Sequence, residues 1–296
     1  MFLNKEFVQF IDKCKQNKQN IVVVSVTHTS GSTYTKSGNM MLVNSEGEFT
    51  GVLGSKYLHK KILELADQSL KSKDSVNFEN IPKDKSVGHG ISNYFIQPFF
   101  YEENFGALTY AMNNINKTLV RSIHNSDFEI IDEKMQTKLE DDKFYQTIEA
   151  PYSILIFGSG SHVSSMIAMA NLMGWTTTVI DKNIDDKYVK DADVLMGVEN
   201  TEDVMNINFD SYNAAVILSH SPQMDDIYLK AVLDSNVEYI GIMGNKTNMR
   251  KKTEKFNLQN DSRFFAPIGL SIGGDTHQSI ALAICAQIEA KKNAKI

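Results

Sequence analysis

Ser153-Ile154-Leu155-Ile156-Phe157-Gly158-Ser159-Gly160-Ser161-His162-Val163 is an apolar run that stops at a glycine turn, and its reading decides the fold. Pro151 bounds the run on the N-terminal side. Apolar residues then recur at helical spacing at Val163, Met166, Ile167 and Ala170, which predicts a helix over 161–173. Thr176-Thr177-Thr178-Val179-Ile180 follows as a second strand and ends on Asp181. Strand, glycine turn, helix, strand and acid in this order describe a dinucleotide-binding βαβ unit. In such a unit Gly158 makes the tight turn and Gly160 lets a pyrophosphate approach the backbone. The free N–H groups at Ser161 and His162 then hold that anion. Asp181 is spaced to accept hydrogen bonds from a ribose 2′-OH and to repel a 2′-phosphate. The third glycine slot holds Val163, which sets helix and strand further apart. A nucleotide site and a plain scaffold are both compatible with this pattern.

The α/β rhythm continues to the C-terminus. Strands are expected at 193–196, 214–218 and 239–243, with helices at 224–233, 245–256 and 275–290. Strands separated by helices indicate a doubly wound parallel sheet, in which ligands sit outside the carboxyl ends of the strands. Two further clusters fall at such ends. His220 opens the segment Ser219 to Asp225, either as a site residue or as a hydrogen-bonded strand-end histidine. Gly244 and Asn245, with Lys246 and Arg250 after them, resemble a second anion-binding helix start. The alternative for that helix is a solvated basic face, since Lys251 and Lys252 follow directly.

The N-terminal half reads as α+β. A helix is expected over 2–15, a buried strand over 21–26 and a glycine-punctuated loop over 27–40. A strand at 41–43 turns at Glu46-Gly47 into 49–53, and a helix spans 55–70. Further strands are placed at 94–96 and 118–123. Residues 132–147 are charged and weakly apolar. The expected organisation is therefore an α+β domain over 1–131, a linker over 132–152 and a Rossmann-like domain over 153–296.

The chain carries 30 Lys and Arg against 36 Asp and Glu, a net charge of −6, which disfavours nucleic acid or anionic membrane as partner. Its first residues lack the apolar core of a signal peptide and no run is long enough to span a bilayer, so cytoplasm is the expected compartment. Two cysteines, Cys14 and Cys285, make neither a disulfide framework nor a thiolate metal site, and no metal ligands are assigned. Both fall on the apolar face of expected helices.

These segments together resemble the XdhC/CoxI family, accessory factors for molybdenum hydroxylases such as xanthine dehydrogenase and carbon monoxide dehydrogenase. The resemblance rests on Thr29-Ser30-Gly31-Ser32-Thr33 through Gly38 to Met41-Leu42-Val43, and on Gly51-Val52-Leu53-Gly54. It continues through Phe157 to Val163, His220 to Asp225, Gly241 to Asn245, and Pro267-Ile268-Gly269-Leu270-Ser271-Ile272-Gly273, all in the family's order. The resemblance implies a non-turnover chaperone. Such a protein binds molybdenum cofactor (molybdopterin, alone or as a nucleotide), protects it during sulfuration, and delivers it to an apo-hydroxylase. A cysteine desulfurase and a homodimer are the implied partners. Gly31, Ser32, Thr33 and Gly269 join the candidate cofactor-binding residues on this basis.

The chain departs from the family pattern where a thiolate would matter. Tyr57 and His59 flank Leu58 where the family has a cysteine and a glutamate, and Gly88 or His89 stands for a second cysteine. Ser271 replaces an acid, and Tyr34 and Thr35 replace a proline and a basic residue, with Lys36 nearby. A soft thiolate ligand for molybdenum or sulfur is therefore missing from the motif positions. Two other functions compete with the carrier. One is an NAD(P)-dependent oxidoreductase with His220 as proton donor, although no acid–base relay stands out beside it. The other is a nucleotide-sensing or scaffold protein that has lost cofactor handling.

Overall fold

The computed structural model describes residues 1–2, 4–81, 90–184 and 186–296. Gly88 and His89 lie outside the described residues. The chain divides into two compact units, Met1–Ala150 and Pro151–Ile296.

The first unit runs α1 (Lys5–Gln16), β1 (Ile21–Ser30), β2 (Met40–Asn44), β3 (Phe49–Thr50), α2 (Lys56–Ser72), β4 (Val76–Asn80) and β5 (Ile91–Phe99). It closes with α3 (Ala107–Met112), β6 (Thr118–Ser122), β7 (Phe128–Ile131), β8 (Lys138–Glu140) and β9 (Lys143–Thr147). A five-stranded sheet has the order β3-β2-β1-β5-β4 and a four-stranded sheet the order β7-β6-β9-β8. Central β1 is apolar at all but Ser25 over residues 21–26, because both faces of that stretch are covered. Ile21 and Val23 share a core with Phe10 and Ile11 of α1. Val22, Val24 and Val26 share another with Leu58, Ile62 and Ala66 of α2. α1 starts behind its Asn4 cap rather than at Phe2, and α2 behind a Ser55 cap.

The stretch expected to link the domains, 132–152, is largely folded: β8 and β9 lie within it and belong to the first unit's second sheet. Its charged residues give it the composition of a linker because these strands expose one face. Arg121 of β6 is fully buried, with ring centroids of Phe95 and Phe144 5.3 and 5.5 Å from its guanidinium. It donates to Gln97 Oε1 (3.0 Å), Ser25 Oγ (3.0 Å) and Gln146 Oε1 (3.3 Å), joining the two sheets through neutral acceptors. Burial without a carboxylate pulls it down to about 10.

The second unit runs β10 (Ser153–Phe157), α4 (Val163–Leu172), β11 (Thr176–Asp181), α5 (Asp186–Val189), β12 (Val194–Gly197), β13 (Ala214–Ile217) and α6 (Pro222–Leu233). β14 (Tyr239–Ile242), α7 (Lys246–Lys255), β15 (Phe264–Phe265) and α8 (His277–Lys292) complete it. All the pairings are parallel and the order is β12-β11-β10-β13-β14-β15, that of a dinucleotide-binding doubly wound sheet. The order reverses between β10 and β13. Ile154, Ile156 and Val216 share a core with residues of α4 and α8 on one face. Leu155, Phe157 and Ile217 share one with residues of α6 and α7 on the other. Among the described residues no helix is long and apolar enough to cross a membrane.

Candidate functional site

β10 and β13 end in register, Phe157 opposite Ile217, so the turns after them meet at one edge of the sheet. Gly158 has φ +108°, and a β-carbon there would lie 3.1 Å from the Leu218 carbonyl oxygen and from the Ser219 nitrogen. Only glycine allows both this backbone conformation and this approach. α4 begins at Val163, two residues later than expected, so Ser161 and His162 form a turn before it. The His162 ring folds back: its Nε2 lies 2.7 Å from the Leu218 carbonyl. A carbonyl can only accept, so Nε2 carries the proton. In the neutral ring Nδ1 is then bare and accepts from His220 Nε2 at 3.3 Å. Burial lowers the His162 pKa, and the nearby His220 and His277 add to that, while the bond to Leu218 opposes it.

Asp181, the expected ribose acceptor, already has partners. Ser159 donates its hydroxyl to Oδ2 (2.7 Å), and the Lys182 N–H (2.8 Å) and the Tyr228 hydroxyl (3.3 Å) reach Oδ1. Burial first, and then this carboxylate, push the Tyr228 phenol up.

Beside the switch point lie two adjoining cavities. A cleft of about 530 Å³ runs along the starts of α6 and α7, lined by Ser219, His220, Asn245, Asn248, Lys251, Lys252 and Lys255 among others. Ser221 caps α6, with Pro222 as its first residue, and Asn245 caps α7 by accepting from the Asn248 N–H at 2.9 Å. Lys252, only 8% exposed, makes a close ion pair with Asp226, which Lys255 also reaches at 2.5 Å. Partial burial raises the Asp226 pKa, but the two lysines outweigh it and hold the group below the usual carboxylate range. Burial raises Asp225, which accepts from Ser219 Oγ at 2.7 Å. The second cavity, about 220 Å³, is almost wholly apolar. Met166, Met243, Ile280 and Ile284 line it, with His162, His220 and His277 alongside. Among the described residues no group of three or more His, Cys, Asp or Glu is placed to hold a metal ion.

The candidates thus separate. His220 and Asn245 line the basic cleft and His162 the apolar pocket. Lys246 and Arg250 line neither; Arg250 is 76% exposed and its nearest carboxylate is Glu254 on the next turn. Lysines of the same helix that the sequence suggests are a solvated face, Lys251 and Lys252, line the cleft in their place, with Lys255 beyond them. Gly269 (φ +95°) is structural: its N–H and the Tyr239 hydroxyl both donate to Gln287 Oε1, fastening the turn to α8. In the first unit Gly31 packs against Gly90, while Ser32 and Thr33 line a separate pocket of about 280 Å³ with Tyr57 and Tyr94. His59 is structural as well, accepting the Leu53 N–H on Nε2 at 3.0 Å. His277, Asp226 and Lys255 carry no local signal in the sequence, because only the placement of α6, α7 and α8 brings them to the edge.

A doubly wound nucleotide-type domain following an α+β domain, with a lysine-lined cleft at its strand ends, defines the class. The descriptions "XdhC Rossmann domain" and "XdhC and CoxI family" match residues 154–288 and 14–79. The chain belongs to the XdhC and CoxI family. It is similar to a probable xanthine dehydrogenase component of Bacillus subtilis, at 23% identity over 95% of this chain and 96% of that one. The fold matches the crystal structure of a xanthine dehydrogenase from Bacillus halodurans, with TM-score 0.79, 20% identity, and coverage of 98% and 96%.

Proposed function

We propose that this protein is an accessory factor for a molybdenum hydroxylase of the xanthine dehydrogenase type, carrying molybdopterin cofactor as cargo to the apo-enzyme. Family membership and the name of the Bacillus subtilis relative support the hydroxylase partner. The observation that carries the cargo is the lysine-lined cleft adjoining a methionine- and isoleucine-walled pocket with three imidazoles alongside, which suits a phosphate attached to a ring. The arrangement favours holding over turnover, since His220, the proton donor of the oxidoreductase alternative, directs Nε2 at His162. The test is expression in a cofactor-competent host, followed by a fluorescence assay for molybdopterin in the purified protein. Bound pterin is expected; none would remove the carrier reading.

A second reading, a nucleotide-sensing or scaffold protein, is favoured by one observation. Where the family has a cysteine and a glutamate, Tyr57 is a pocket wall and His59 is engaged with the Leu53 backbone. A protein that retains nucleotides and no pterin in the same assay is this one.

A further inference from the structure

We infer that the apolar pocket on α8 and the basic cleft on α7 are two halves of one site, which takes a planar heteroaromatic ring and the phosphate attached to it. The site lies outside β13 and β14, and its apolar half reaches the His162 ring beside the glycine turn. The inference rests on the carrier reading only for the identity of the cargo; the ligand class follows from the cavities themselves.

The two cavities share His220 and Met243, so they adjoin, with these two residues on the boundary between them. Together they are of the size that small-molecule sites have, roughly 300–1,000 Å³. The apolar half offers imidazole faces and thioether and aliphatic walls, surfaces that suit a flat ring. The other half offers positive charge. Three lysines outnumber the two carboxylates that line it: Lys252 and Lys255 both pair with Asp226, Asp225 is held by the Ser219 hydroxyl, and Lys251 has no carboxylate partner among the described residues. The macrodipole of the ten-residue α7 adds to the same field.

The glycine turn is less able to take the anion. The His162 ring occupies the space over it: a β-carbon on Gly160 would lie 2.9 Å from His162 Cε1. The same ring bonds the Leu218 carbonyl across the point where strand order reverses, and Asp181 is committed to Ser159 and Tyr228. The His162 ring and the partners of Asp181 thus leave the glycine turn with less room and fewer open acceptors than the cleft.

The test is calorimetric titration of the full chain with GMP, guanosine and inorganic phosphate. GMP is expected to bind about tenfold or more tightly than either part alone, with an affinity that falls as salt rises. Lys251 and Lys255 are exposed, and Lys251→Gln with Lys255→Gln removes their charge while leaving Asp226 its pair with Lys252; circular dichroism and thermal midpoint report its fold. This variant should lose GMP binding by about tenfold or more and keep guanosine binding. Half-buried Ile280→Trp fills the apolar half and should lose both GMP and guanosine, with circular dichroism and thermal midpoint reporting its fold. The inference is overturned if GMP binds no better than guanosine or phosphate. It is also overturned if Gly160→Asp abolishes GMP binding while the α7 and α8 variants retain it. A parent that binds GMP as expected but carries no molybdopterin overturns the carrier reading alone. A parent that carries molybdopterin undiminished in both site variants overturns this inference alone.

Discussion

His162 donates its Nε2–H to the carbonyl of Leu218 at 2.7 Å, and this contact ties the turn after β10 to the end of β13. It fixes the tautomer of His162, and through Nδ1 it fixes the proton on His220. Two histidines and two strand ends are thus held in one arrangement by a neutral ring.

A pH dependence follows, and its sign is set by the lowered His162 pKa. An unfolded histidine titrates near 6.5. As pH falls through that value the unfolded chain takes up a proton that folded His162 still refuses. Stability is therefore lost as pH drops below about 6.5 and stops falling once pH is below the folded value. A charged His162 would also turn an N–H toward His220 Nε2. Urea midpoints from about pH 8 to about pH 5 should show this slope, and His162→Gln should flatten it in that window. An unchanged slope in the variant would assign it to other groups.

Gly158→Ala tests the contact between the two turns. The new methyl would press on the Leu218–Ser219 backbone at a positive φ, which we expect to destabilise the second unit by about 1–3 kcal/mol. Thermal unfolding measures it. A variant as stable as the parent would show that the turns can separate freely.

Arg121→Ala should be among the most destabilising substitutions in the first unit, at about 2–5 kcal/mol, through the cavity left and the loss of the charged donor to Gln97 and Gln146. Arg121→Lys should not restore the parent, because one ammonium cannot span the acceptors that the guanidinium fork reaches. Denaturant unfolding of both variants checks the order.

Cys14 and Cys285 are both buried, and burial pushes their thiols up to about 11 and about 12. Neither is expected to react with a thiol reagent at about pH 8 unless the chain unfolds. The double Cys→Ala variant, if folded, should carry as much molybdopterin as the parent. A collapse of loading in the folded variant would show that one thiol acts in the cofactor's handling.

Much of this architecture is written in local pattern. Ile21 to Val26 and Ser153 to Phe157 read as strands because both of their faces are covered, which leaves almost no polar position to obscure them. β4, β8 and β9 are hidden for the opposite reason: Val76–Asn80 alternates around polar residues, and Lys138–Glu140 is charged at both ends. At the site, Gly158, His220 and Asn245 are legible since strand ends and helix caps have local signatures. The fold-back of His162, the saturation of Asp181 by Ser159 and Tyr228, and the substitution of Lys255 for Arg250 depend on helix placement. None of these three has a signature in neighbouring residues.

Ala281 and Ile284 line the apolar pocket and also belong to the core that covers the sheet around Ile154 and Ile156. A mutation there that alters what the pocket accepts also alters how α8 seats on the sheet. The exposed lysines of α7 carry no such double duty. Variation among descendants of this chain is therefore expected to accumulate on the α7 side, altering the charge of the cleft. The ring-sized chamber under α8 would stay fixed by the demands of folding.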